Sequence, residues 1–374
     1  MKLAFCIFKY FPFGGVQRDF MRIAKACVAR GHEVRAFVME WEAPPETSFP
    51  VHVLSSSARF NHRRYREFAS QVAARLKGND LVIGFSKMPH LDVYFAADPC
   101  YLHKAYTERS ALYRMTPRHR LFASFERAVF ASEAKVEILS LSEAENARYR
   151  RWYQTPNERF HFVPPYVSPD RAAPPSKQEI RRELRRELDI PEEDKVALLI
   201  GSGFRVKGVD RALRALASLP ANLLSRTHLI VIGRDRVSPF QRLAQRLGVE
   251  DRVRFFLGRD DVPRFLFSAD LLVHPAYRET AGIVLIEALA AGLPVLTTDT
   301  CGYAHHVTEA HGGRVLASPF KQDAFNALLR EMLADNEAWG TNGARYAERT
   351  FFAGRGQPEV ELLEAIGRGR CPPS

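Results

Sequence analysis

Apolar residues in this chain come in short unbroken runs separated by longer amphipathic stretches, a spacing that predicts buried strands alternating with helices. Leu3 to Phe8 reads as a first strand, Val16 to Arg30 as a helix stopped by Gly31, and Glu33 to Val38 as a second strand, which together make a βαβ opening. Leu81 to Phe85, Val93 to Ala97 and Ile138 to Leu141 continue the set. A second set begins after Pro174-Pro175, where Ser176 and Glu179 have capping-box spacing ahead of a helix. Its strands are Val196 to Ile200, Leu229 to Gly233, Val253 to Phe256, Asp270 to His274 and Pro294 to Leu296, with a helix over Val209 to Ala217. At 374 residues the chain is long enough for two such α/β domains, each with its own core.

Two turns in the second set carry candidate chemistry. After the strand ending at His274, Glu279 and Thr280 precede Gly282, from which a helix can start with free N–H groups that attract phosphate. Glu287 lies one to two turns into that helix, and Gly292 with Pro294 ends it. An ordinary amphipathic helix with solvated glutamates is the plainer reading, but the apolar run Ile283-Val-Leu-Ile286 makes Glu287 emerge from core-like sequence. The second turn is Gly201-Ser-Gly-Phe-Arg-Val-Lys-Gly208, where Arg205 and Lys207 sit between glycines and can neutralise a diphosphate. Taken alone, that loop reads equally well as two solvated cations.

Charge narrows the partners. The net charge of +11 and a pI near 9.5 point to an anionic one. Nucleic acid is not expected, because zinc spacing, an RNA-binding aromatic motif and a basic heptad helix are all missing. The five scattered cysteines, Cys6, Cys27, Cys100, Cys301 and Cys371, contain no C-x-x-C and suit a reducing compartment. The first apolar run is cut at Lys9, too early for a signal peptide, and no stretch reaches the roughly 20 apolar residues of a membrane span. Phe13-Gly-Gly-Val16 is not a dinucleotide loop, and neither a phosphate-loop motif nor a G-x-S-x-G elbow occurs. With no two aspartates separated by one residue and no clear histidine ligand spacing, no metal is expected. Between Tyr101 and Arg127 the composition turns aromatic and basic, with Arg109, Arg114, Arg118 and Arg120 beside Tyr106, Tyr113 and Phe122. Such a mixture suits an anionic bilayer surface, although a core-facing helix with a charged outer face has the same composition.

Glu279 and Glu287, eight positions apart around Gly282, resemble the E-x7-E signature of retaining glycosyltransferases with the GT-B fold, in the family numbered four. Gly14-Gly15 followed by Ala29-Arg-Gly-His-Glu-Val34 is similar to the amino-terminal half of that fold, and Phe160 to Pro165 to its closing strand and linker. The fold implied is α/β, with two Rossmann-like doubly wound domains facing a central cleft: residues 1–168, 169–350, and a tail, 351–374, whose helix returns to the first domain. Lys9-Tyr-Phe-Pro-Phe-Gly-Gly-Val-Gln-Arg-Asp-Phe-Met-Arg-Ile-Ala24, Met88-Pro-His-Leu-Asp-Val-Tyr-Phe-Ala-Ala-Asp98 and Cys301-Gly-Tyr-Ala-His305 resemble the lipopolysaccharide core glucosyltransferase I family. The resemblance covers nearly the whole chain.

It implies a metal-independent transferase, with no cofactor, that moves a hexose from a UDP-sugar to phosphorylated inner-core heptose. Glucose is the first expectation; galactosamine or an acetylated amino sugar are alternatives, and a non-catalytic nucleotide-sugar or membrane-binding scaffold is a remoter one. Glu279 would hold the sugar, Glu287 the ribose, and Lys207 the departing UDP, while Asp98 would orient the acceptor. Donor contacts are implied at Gly14, Gly15, Asp19, Arg171, Arg205, Arg259, Ala281, Gly282 and Ile283. Tyr166 departs from the pattern, since relatives carry Gly after the two prolines. Residues of about 101–127 are implied to bind the anionic lipid of the cytoplasmic face of the bacterial inner membrane, which makes the enzyme cytoplasmic and peripheral.

Overall fold

In the computed structural model, which describes residues 1–12, 14–42, 47–334, 338–352 and 357–369, the chain forms two compact units. One is Met1–Pro164 with the C-terminal helix Pro358–Gly367, and the other is Pro165–Arg355. Phe13 of the glycine motif, Cys371 and the tail beyond 369 lie outside the described residues.

The first unit is a seven-stranded parallel sheet. Its strands are β1 (Lys2–Tyr10), β2 (Glu33–Trp41), β3 (Val51–Val53), β4 (Leu81–Gly84), β5 (Val93–Ala96), β6 (Glu137–Ser140) and β7 (Phe160–Phe162). They are ordered β3-β2-β1-β4-β5-β6-β7. The chain runs outward from β1 to β3, then returns to pair β4 with the other side of β1, Leu3 opposite Leu81. That return is a switch point, where loops at the carboxyl ends of neighbouring strands diverge and leave a crevice. The helix Pro358–Gly367 packs on Gly15–Ala29 through Arg22, whose Nη2 donates to Glu359 at 2.6 Å, and reaches the turn after that helix through the His32–Glu364 contact at 2.9 Å.

The second unit repeats the plan with six strands: β8 (Lys195–Ile200), β9 (Thr227–Ile232), β10 (Val253–Phe256), β11 (Leu271–His274), β12 (Val295–Thr298) and β13 (Gly313–Leu316). The order is β10-β9-β8-β11-β12-β13, all parallel. Because side chains alternate along a strand, each run feeds two cores. Val196, Leu198, Ile230 and Leu272 pack with Leu285 and Leu289 on one face, while Ala197, Leu199, Val231 and Val273 pack with Leu213, Phe325 and Leu329 on the other. Both faces are covered, which is why these strands carry unbroken apolar runs.

One expectation needs correction and one alternative is resolved in part. Ser176 precedes the helix Lys177–Glu187, but its side chain makes no cap bond; its backbone, at φ −79° and ψ 10°, lacks the extended conformation that aims a cap hydroxyl at the first turn. The aromatic and basic stretch forms three helices, Tyr101–Thr107, Ala111–Arg114 and Pro117–Phe130, and most of its rings do not face outward. Leu121, Phe125 and Phe130 are buried in the core of the first unit, so the core-facing alternative describes the inner side of the last helix. Glu126, one of that segment's few acids, is completely buried.

Candidate functional site

In the second unit, β8 and β11 are neighbours, with Leu271 opposite Ala197, so the loops that follow them emerge side by side. The basic loop 201–208 follows β8 and the glutamate turn 275–282 follows β11. They are stitched together where the Tyr277 N–H donates to the Val206 carbonyl at 2.8 Å. Gly208 makes the approach possible. It sits at φ +76°, and a Cβ there would lie 2.0 Å from the Pro275 carbonyl oxygen. Sequence positions 72 apart are thereby brought into contact: the Lys207 ammonium forms an ion pair with the Glu279 carboxylate.

Both partners are mostly shielded, with side chains 19% and 16% exposed. Burial pushes the Lys207 ammonium down to about 8, with Cys301 opposing the shift. His274, the last residue of β11, lies completely buried with Nε2 3.5 Å from Glu279, and neither ring nitrogen has a hydrogen-bond partner. Burial, then the charge of Lys207, pushes its ring down to about 3, so the imidazole is neutral. Sequence reasoning passed over His274. The signal available was a lone polar residue ending an apolar strand immediately before the acidic turn.

The turn is held from the other side by the 300–303 loop. Glu279 N–H donates to the Thr300 carbonyl, Gly302 N–H to the Glu279 carbonyl, and Tyr303 N–H to the Ala281 carbonyl at 2.7 Å. Gly282, at φ +89°, then starts the helix Ile283–Ala290 with no side-chain cap. The unfilled N–H groups of that first turn and the partial positive charge of the helix end are directed at whatever occupies the turn. Along the helix Val284 to Ala290 are all buried, so Glu287 is a charge inside a core. Its Oε1 accepts from Arg171 Nε at 3.1 Å, and Arg171 Nη1 donates to Asp170 at 2.9 Å. Arg171 and Glu287, both expected to touch the donor, thus also form a buried pair that sets the glutamate's direction.

Arg205 and Arg259 take no part in the Lys207–Glu279 ion pair. Arg205 is exposed on the loop. Ser202, between the loop's first two glycines, uses its hydroxyl to accept the Arg234 N–H at 3.1 Å. Arg259 is gripped by Asp261 through two bonds of 2.6 and 2.7 Å.

In the first unit, Gly14 precedes the helix Gly15–Ala29 and its carbonyl accepts the Arg18 N–H; Asp19, on that helix, accepts from Arg22 at 3.2 Å. Asp98 follows β5, is exposed, and lines a cavity of about 600 Å³ with Lys87, which follows β4. The Tyr149 hydroxyl fixes the Asp98 backbone, donating to its carbonyl at 2.8 Å. Among the described residues no three His, Cys, Asp or Glu side chains converge to hold a metal ion.

Comparison with known proteins finds two family models in succession: Glycosyltransferase Family 4 over residues 13–171, and Glycosyl transferases group 1 over residues 180–346. The chain is 46% identical over 353 residues to the lipopolysaccharide glucosyltransferase WaaG of Escherichia coli (strain K12), covering 93% of this chain and 94% of that protein. The crystal structure of WaaG, a glycosyltransferase involved in lipopolysaccharide biosynthesis, superposes with a TM-score of 0.90 at 44% identity over 98% of both chains. Anabaena Alr3699/HepE, solved in complex with UDP and glucose, shares the fold at a TM-score of 0.76, with 18% identity and 99% coverage of both chains.

Proposed function

The chain belongs to the glycosyltransferase family that includes the lipopolysaccharide glucosyltransferase WaaG, an enzyme family with the GT-B fold, and on that premise we propose its reaction. It moves a hexose, glucose in this reading, from a UDP-sugar to the inner-core heptose of lipopolysaccharide, with retention at the transferred carbon and without a metal. The observation that carries this is the meeting of Lys207 and Glu279 beside the uncapped start of the Ile283 helix, at the switch point of the second sheet.

A departing diphosphate develops negative charge, and the basic loop supplies a mostly shielded ammonium and the glutamate turn a helix N-terminus to receive it. Glu279 accepts hydrogen bonds from hydroxyls of the transferred sugar once Lys207 turns to the phosphate. Glu287, aimed by Arg171, accepts from the ribose. In the transfer, the bond from the anomeric carbon to the phosphate oxygen breaks as the bond to the acceptor oxygen forms on the same face. The acceptor's proton passes to the leaving phosphate, so no protein base is consumed. The enzyme works on the cytoplasmic face of the inner membrane, beside the lipid anchor of its acceptor; among the described residues no helix is long and apolar enough to cross a membrane.

The test separates the two partners of the ion pair. Glu279→Ala is expected to retain UDP binding while losing transfer, and Lys207→Ala to weaken UDP binding by about 1.5–3 kcal/mol and slow transfer as well. Near-normal turnover of UDP-glucose with deacylated core acceptor in both variants would remove this site from the reaction.

A further inference from the structure

Tyr101, Tyr113, Phe122 and Phe125 of the aromatic and basic segment line a cavity in the first unit. The cavity of about 600 Å³ lies at the carboxyl ends of the first sheet, with Phe8 on β1, Lys87 after β4 and Asp98 after β5. Its volume is that of a small-molecule site, and carboxyl ends beside a switch point are where open α/β sheets take ligands. The rings of its aromatic wall touch one another. Tyr65 meets Phe8 edge-on at 4.0 Å and Phe122 at 5.3 Å, and the Tyr101 and Tyr113 hydroxyls are joined at 2.9 Å.

The cations of the wall differ in what they are free to do. Lys87 is spoken for by the buried Glu126 carboxylate at 2.5 Å. Arg109 and Arg118 are exposed and, among the described residues, neither has a carboxylate partner. Each is instead laid over a ring of the same wall, Arg109 5.5 Å from Tyr113 and Arg118 5.2 Å from Phe122. Stacking of this kind holds a planar guanidinium fork in place while leaving its N–H groups to bind an anion bidentately. Asp98 is the one acidic side chain lining the cavity among the described residues, and a carboxylate accepts from a hydroxyl. Aromatic faces, one carboxylate and two preset guanidinium forks match a sugar ring that carries an anionic substituent.

We propose that this cavity is a subsite for an anionic group on the saccharide acceptor, with Arg109 and Arg118 as its specificity-determining residues. The inference rests on the reading of the chain as a transferase acting on a lipopolysaccharide saccharide, and deepens it. A phosphomonoester and the carboxylate of an acidic sugar present the same chemistry to a guanidinium fork.

The experiment uses the full chain and deacylated core oligosaccharide in three forms: intact, phosphatase-treated, and carboxyl-reduced. With the intact form, Arg109→Gln and Arg118→Gln are each expected to raise the acceptor KM about tenfold, leaving the donor KM and the saturating rate nearly unchanged. The treatment that raises the wild-type KM to the level of the variants identifies the anion as phosphate or carboxylate. Arg118→Lys should restore part of the loss. An unchanged acceptor KM in both glutamine variants would overturn the proposal, as would a variant defect that persists on an acceptor stripped of both anions. If wild type transferred to none of the three forms, the proposed function would fail. Equilibrium binding of the intact and stripped oligosaccharides to wild type and variants would still decide the subsite. Binding of the glutamine variants to vesicles of anionic lipid should match wild type; a loss there with acceptor KM unchanged would show that these arginines read a bilayer.

Discussion

Glu126 offers the sharpest test of how the first unit is held together. Its side chain is completely buried on the helix Pro117–Phe130 and gathers donors from three other segments. The Tyr101 and Leu102 N–H groups donate at 2.6 and 2.9 Å, the Tyr153 hydroxyl at 2.8 Å and the Lys87 ammonium at 2.5 Å. One carboxylate thus caps the Tyr101 helix, neutralises a lysine that is 10% exposed, and satisfies a buried phenol. In Glu126→Ala the mostly buried lysine keeps its charge but loses its carboxylate, retaining the Pro99 carbonyl at 2.8 Å, and breaking a buried pair in this way costs about 3–5 kcal/mol. Two helix-start N–H groups and the phenol are orphaned as well, so about 4 kcal/mol is a low expectation. Glu126→Gln keeps the shape but turns an amide donor toward donors, for a loss of about 2 kcal/mol. The pair Lys87→Met with Glu126→Gln removes the stranded charge and should recover more than about 1 kcal/mol of the summed losses. Urea unfolding followed by Trp41 and Trp152, in a Trp339→Phe background that silences the other unit, isolates the first one. A loss below about 1 kcal/mol for Glu126→Ala would refute the argument, since it would mean that water reaches these donors.

Gly208→Ala places a Cβ against the Pro275 carbonyl at a left-handed φ, which costs about 1–2 kcal/mol from the backbone alone. The basic loop should shift away from the glutamate turn and transfer should fall on the order of a hundredfold, with the urea midpoint of the first unit unchanged. His274 has a folded value near 3, far below its ordinary 6.5, so the unfolded chain binds the extra proton between those values. Its contribution is complete above pH 6.5 and lost as pH falls toward 3, and His274→Gln should remove about 2 kcal/mol of the second unit's stability change between pH 7 and pH 5, read by Trp339 in a Trp41→Phe/Trp152→Phe background. Membrane docking, in our reading, uses the outer side of the 101–127 segment. There Leu112 and Met115 are 76% and 67% exposed, and Arg114 lies 4.4 Å over the exposed Tyr106. Arg114→Gln with Arg120→Gln should weaken sedimentation with anionic vesicles in a salt-sensitive way and leave the acceptor KM alone; equal sedimentation across a salt series would place docking elsewhere.

Much of the site was legible in the order of residues. A strand buried on both faces must be apolar throughout, so the runs at Val196 to Ile200 and Asp270 to His274 declared themselves. Glycines at positive φ marked where the loops turn, and a glutamate after an apolar strand marked the candidate chemistry at Glu279. Strand order, by contrast, is a tertiary choice. Only the pairing of β8 with β11 puts Lys207 against Glu279, because hydrogen bonding between strands distant in sequence is set by how the two faces pack, which no local pattern encodes. The same limit explains Arg171 closing on Glu287 across 116 residues, and Glu126 binding donors from segments up to 39 residues away. Composition alone could not tell which side of the aromatic and basic helices turns inward. A ring and a guanidinium serve a lipid surface or a cavity wall equally well, and packing against β1, β4 and β5 sent Tyr101, Tyr113 and Phe122 to the wall while Leu112 and Met115 stayed outside.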